Sequence, residues 1–256
     1  MISFIDGRRI LDRHATKNFS RRSASNILGG VVHHTAGGDN PYNTASYHVG
    51  PNHVSETGCP ALLYTFYIRQ NGEVWWANDL EDITWSQGGH GSPVAGTDAN
   101  TNFLAICCAG DYHSASHLGK DTGPPYIQMF ALLALWGHLT GEVNLLTLPE
   151  EMCGILDCRV EDLWGHHNFG KPACPGAVMQ GVVDSIRTYA APTRRLTTVI
   201  DWQSALNKVG AALAVDGVWG SQSRAALVDF QRTQQGLVVD GIRGPMSEAA
   251  LLGVIS

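Results

Sequence analysis

Near the end of the chain, Val215-Asp216-Gly217-Val218-Trp219-Gly220 returns 24 residues later as Val239-Asp240-Gly241-Ile242-Arg243-Gly244. A repeat at that period commits this stretch to two copies of one loop-and-helix unit. The echo continues beyond the glycines, with Ser223, Ala225, Ala226 and Leu227 matched by Ser247, Ala249, Ala250 and Leu251. Asp-Gly suits a tight turn because glycine accepts positive φ, and the serine is placed to cap the helix that follows. Before the repeat, Trp202, Leu206 and Val209 share one face of an amphipathic helix, which predicts a small three-helix domain. Pro192, among arginines and threonines, marks a linker. The expected division is therefore 1–187, a linker over 188–198, and 199–256.

The remaining part is long enough for a core of its own. Of the 256 residues, 44% are hydrophobic and 16% charged, a globular composition. Seventeen Lys and Arg against 23 Asp and Glu leave a net charge of −6, which argues against nucleic acid as a partner. No run approaches the ~20 apolar residues of a membrane span, and the first residues lack the apolar core of a signal peptide. Six cysteines are too few for a disulfide scaffold, so most read as buried thiols in a reducing compartment. A monomer is expected. Residues 27–33, 62–68 and 103–109 are apolar, β-branched and aromatic runs bounded by turn residues and predict strands. Residues 126–139, apolar at nearly every helical position, predict a buried helix. The fold class expected is α/β, a central mixed sheet flanked by helices, plus the small helical domain.

Chemistry concentrates in VVHHTAGG, with His33 and His34, and in WGHHNFGKPACPG, with His166, His167 and Cys174. Two imidazoles and a thiolate give zinc three ligands and leave a fourth tetrahedral position for water, as a catalytic site requires. Either member of each histidine pair could ligate. Cys153 and Cys158 could form a disulfide, or join Cys174 and His167 in a structural zinc site. Adjacent Cys107 and Cys108 point to opposite faces of their strand. Trp75, Trp76, Trp85 and the run 87–91 suit either saccharide stacking or partial burial.

The succession of VVHHTA, LLYTFYIRQNGEV and GHHNFGKPACPG resembles the zinc-dependent N-acetylmuramoyl-L-alanine amidases related to peptidoglycan recognition proteins, over residues 27–180. The resemblance implies zinc held by His33, His166 and Cys174. It also implies a catalytic Tyr64 beside the metal and a groove in which His34, Trp85, His90, Asn102 and His167 meet the substrate. Where other members carry a glutamate, this chain has Cys107. The cationic or hydroxyl position two residues before the cysteine ligand is Pro172, which makes Lys171 the substitute. Residues 199–253 resemble the peptidoglycan-binding domain of wall enzymes, implying wall contact by Asp216, Gly217, Trp219, Asp240 and Gly241. The implied function is hydrolysis of the bond between N-acetylmuramic acid and L-alanine, with peptidoglycan as partner. The layout is that of a phage endolysin made in the cytoplasm and released through a holin-type lesion. The alternative is a recognition protein that binds peptidoglycan without cleaving it.

Overall fold

A computed structural model describes residues 2–88, 91–113, 123–142, 148–190, 196, 198–234 and 237–255. Six strands form one sheet: β1 (Ser3–Asp6), β2 (Gly29–His34), β3 (Phe66–Ile68), β4 (Glu73–Trp76), β5 (Phe103–Cys108) and β6 (Leu163–Gly165). Their spatial order is β1-β4-β3-β5-β2-β6, with the β3–β4 hairpin antiparallel and the other pairs parallel. The mixed sheet expected from the sequence is the one observed. The central strands β2 and β5 are buried at every position, so they read as continuous apolar runs rather than alternating ones.

Alternation along β5 separates the two faces of the sheet. Cys108 joins Val32, Phe66, Leu104 and Ile106 in the larger core. There they meet Leu132, Leu135, Trp136 and Leu139 of α3 (Tyr126–Leu139) and Met179 and Val183 of α4 (Ala177–Ala190). Cys107 faces the other way, with Tyr67, Trp75, Leu62 and Ala45 of α1 (Pro41–Val49). Helix α1 starts where Asn40 Oδ1 accepts from the N–H groups of Tyr42 and Asn43, with Pro41 in the first turn. A short α2 (Ala99–Asn102) leads into β5.

Two expectations shift. The run 62–68 enters the sheet ladder only at Phe66, because Asn78 Nδ2 donates to the carbonyls of Leu62 and Tyr64 at 2.6 and 2.7 Å. A side chain thus takes the place of a neighbouring strand there. Second, α4 runs through Ala190, past the expected domain edge. Leu196 already belongs to the C-terminal unit: its N–H donates to Glu248 and its carbonyl accepts from Trp202 Nε1. Residues 191–195 and 197 lie outside the described residues.

The C-terminal unit is three helices, α5 (Val199–Lys208), α6 (Ser221–Thr233) and α7 (Pro245–Ile255), around Trp202, Leu206, Leu227, Phe230 and Leu251. Thr198 and Asp201 form a capping box on α5. The repeat serine is not the cap expected of it. Gly220 holds that place on α6, and Ser223 sits buried inside the helix, its hydroxyl accepting from Gln203 Nε2 at 3.2 Å.

Candidate metal centre and cleft

His33 stands near the end of β2, on the face shared with Cys107, its register partner in β5. His166 follows β6 directly, at the start of a 3-10 turn (His166–Phe169), and Cys174 lies on the loop beyond it. Because β6 pairs with β2, the two histidine segments become spatial neighbours although far apart in sequence. One ligand atom from each of His33, His166 and Cys174 lies within 4.8 Å of the other two. His33 Nδ1 is 3.8 Å from Cys174 Sγ, close to the edge of about 3.6 Å that nitrogen and sulfur would share around a tetrahedral zinc.

Electrostatics fit the same ion. Burial, and then the neighbouring His166, hold the His33 imidazole well below its ordinary pKa, so it stays neutral with a lone pair to give. His166 Nε2 lies 3.2 Å from the Gln87 carbonyl, to which it donates its N–H, and this contact orients the ring. Gln87 is itself anchored, donating through Nε2 to Phe103 O. Without a metal, burial pushes the Cys174 thiol up to about 11, partly offset by the His34 main chain and Lys171. Binding of a cation would therefore release a proton.

Tyr64 flanks the cluster, its ring 5.3 Å from His33 and 5.6 Å from the buried His48. Burial, reinforced by Cys107 and Cys174, raises its pKa well above that of a free phenol, so it is a hydrogen-bond donor rather than a base. Cys107 is likewise kept protonated by burial, so no carboxylate or thiolate stands at that position. Lys171 is exposed on the rim.

His33, His48, Tyr64, His166, Lys171 and Cys174 line a cleft of about 860 Å³. Its described lining includes six histidines, Lys171 and Trp85, and no carboxylate. His34 borders the cleft from behind: Nδ1 accepts from Tyr112 N–H at 3.2 Å, and its ring lies 4.5 Å from that of His113. His34, Asp111 and His113 form a second group with metal-ligand atoms in reach of one another. There His34 Nδ1 is engaged by Tyr112 N–H, and His113 Nδ1 lies 2.6 Å from Asp111 Oδ1.

Other expected residues lie elsewhere. His167 is exposed, with Nδ1 against Pro172 O. Asn102 does not line the cleft; Nδ2 donates to Asn26 O, and Oδ1 accepts from Asp98 N–H. His90 lies outside the described residues. Trp75 packs in the core, and Trp76 is covered by the Arg8 guanidinium. Cys158 is buried in the larger core and donates to Ile27 O, and among the described residues no metal-binding group contains it or Cys153. All six cysteines are free, so the disulfide alternative falls. In the C-terminal unit, Asp216 and Asp240 are turned into their own loops, accepting from Val218 and Ile242 N–H. Sequence reasoning missed His48, and it singled out Gln87 only within the run 87–91, not for the backbone carbonyl that meets His166.

No curated protein matches the sequence. Among solved structures, an endolysin N-acetylmuramoyl-L-alanine amidase from Clostridium intestinale is similar at 18% identity and a TM-score of 0.45, over 73% of this chain and 95% of its own. The Ph2119 endolysin from a Thermus scotoductus bacteriophage is similar at 18% identity and a TM-score of 0.46, over 73% and 99%. A bumblebee peptidoglycan recognition protein, PGRP-SA, is similar at 17% identity and a TM-score of 0.46, over 72% and 93%. The profile of the N-acetylmuramoyl-L-alanine amidase family matches residues 23–177, and that of a putative peptidoglycan-binding domain matches residues 195–251. The chain belongs to the N-acetylmuramoyl-L-alanine amidase family and carries a C-terminal peptidoglycan-binding domain.

Proposed function

We propose that the protein is an active zinc amidase that cleaves the bond between N-acetylmuramic acid and L-alanine, in the manner of a phage endolysin. The observation that carries this is the convergence of His33, His166 and Cys174 at the cleft, with the His33 imidazole neutral and His166 oriented by the Gln87 carbonyl. These three side chains would hold the ion. Zinc in such a set supplies Lewis acidity, lowering the pKa of a water toward about 7 and polarising a carbonyl.

The chain's own groups divide the remaining work. Tyr64, kept protonated, donates a hydrogen bond to the oxygen of the scissile amide as negative charge develops there. Lys171, on the rim, adds positive charge and a proton donor for the leaving amine. A lining rich in histidine and, among the described residues, free of carboxylates suits a stem peptide that carries carboxylates of its own. Released into contact with the wall, the protein would be held there by its C-terminal domain.

The test pairs metal content with product. The wild type is expected to bind about one zinc per chain and to release N-terminal alanine, but no new reducing sugar, from purified sacculi. Cys174→Ser should lose both the zinc and the alanine. Zinc-loaded protein that binds sacculi and cleaves nothing would overturn the enzymatic reading. It would point to recognition alone, which the neutral thiol of Cys107 in place of a carboxylate favours.

A further inference from the structure

The two Asp-Gly loops are framed alike but differ at their tips. Gln203 Nε2 donates to Asp216 Oδ1 and Val218 O, and its Oε1 accepts from Gly217 N–H at 3.0 Å. Gln231 repeats the arrangement with Asp240 and Gly241, accepting from both of their N–H groups. The flanking valines also match, Val215 at 47% exposed and Val239 at 46%. At the tips the likeness ends. Val218 is 63% exposed, whereas its counterpart Ile242 is inserted against Gly141 and Gly154 of the amidase domain.

That notch is made for an inserted side chain. Gly141, just beyond α3, has φ 75°, and Gly154 has φ 61°. Both donate N–H to the His138 carbonyl, at 3.2 and 2.7 Å, which ties two backbone bends side by side. A methyl group added to either glycine would overlap Ile242. Beside the notch, Arg243 pairs with Asp157 of the amidase domain. The same guanidinium lies 4.6 Å over the ring of Trp219, its own counterpart in the first repeat.

We propose that the repeats have divided their labour: the second loop clasps the amidase domain through Ile242 and Arg243, and the first, through Val218, meets the wall polymer. The clasp stands on geometry alone. The assignment of the first loop rests on the reading of this domain as a wall binder. A closed clasp covers the second tip, so both tips cannot meet the polymer at once, and it fixes the anchor relative to the cleft.

The experiment uses the full chain as wild type, Ile242→Asp, Asp157→Arg and Val218→Asp, with thermal melts to confirm folding. Asp157→Arg breaks the clasp from the amidase side and leaves the repeat untouched. Small-angle scattering and 15N relaxation report whether the domains move as one body, and co-sedimentation with sacculi reports wall affinity. Both clasp variants should expand and tumble as two bodies while keeping wall affinity within about twofold. Val218→Asp should keep the wild-type scattering and bind about tenfold more weakly or worse, as expected for a charge placed in a contact. Wild-type scattering from both clasp variants would overturn the clasp. Clasp variants that lose as much wall affinity as Val218→Asp, or a Val218→Asp protein that loses none, would overturn the division. A wild type that does not bind sacculi at all would instead overturn the wall-binding reading, with the clasp then decided by scattering alone.

Discussion

His48 makes the amidase domain sensitive to acid in a way that can be isolated. It is buried on α1 beside Tyr64, with Nδ1 accepting from Leu63 N–H, and burial depresses its pKa to about 4. The unfolded chain returns it to about 6.5. A folded pKa below the unfolded one means that the unfolded state binds the proton first. The stabilisation is therefore complete above pH 6.5, falls as the pH drops, and is gone below pH 4. The 2.5-unit gap corresponds to about 3 kcal/mol in full, of which about 2 kcal/mol is lost by pH 5. The assay is urea unfolding of the amidase domain, metal-free with chelator present, at pH 7.5 and 5.0, for wild type and His48→Gln. The other histidines titrate in both proteins and cancel in the double difference. Wild type should lose about 2 kcal/mol more than the variant between the two pH values. A double difference below about 0.5 kcal/mol would refute the argument, because it would mean that the imidazole is not kept neutral by its surroundings.

Chelation should lower the melting temperature of the amidase domain and leave the C-terminal domain unchanged. With zinc at a thousand times its Kd, the ion contributes about 4 kcal/mol, or on the order of 10 °C, and an unchanged melt with and without chelator would count against a bound metal. Tyr64→Phe should retain zinc but lose about 10²-fold in kcat, whereas Lys171→Ala loses about tenfold; steady-state rates on sacculi at matched zinc content decide, and a Tyr64→Phe rate within about twofold of wild type removes the phenol from the chemistry. Gln231→Leu strips the acceptor from Asp240 and Gly241 N–H and should destabilise the C-terminal domain by about 2–4 kcal/mol in denaturant titrations. A cost under about 1 kcal/mol would show that water replaces the glutamine without difficulty.

The segments that meet at the candidate metal centre were legible because each carries its chemistry in a short stretch: paired histidines closing an apolar run, and a cysteine before a proline. The helix over 126–139 was legible for a similar reason, since its apolar residues leave no other way to bury them. What stayed hidden depends on the third dimension. The oxygen that orients His166 belongs to the Gln87 backbone, and no side-chain pattern announces a carbonyl. Asn102 looked like a groove residue but is consumed in holding Asn26 and Asp98. Ser223 looked like a helix cap, yet the helix begins two residues earlier and the hydroxyl serves Gln203 instead. The short edge strand β1 gave no pattern of its own and takes its place by pairing with β4.

The position of β6 carries a consequence for how the sheet comes apart. It is three residues long, lies at the sheet's edge, and touches only β2 through the ladder. An ion held by His33, His166 and Cys174 would join that edge to β2 a second time, closing a loop whose ends are 141 residues apart. The metal would then act as a rivet on an edge seam as well as a reagent. On its removal, the amides of Leu163–Gly165 should exchange with solvent sooner, while those of β5 in the middle of the sheet hold. Loss of the metal would thus be read at the sheet's margin before it is felt at its centre.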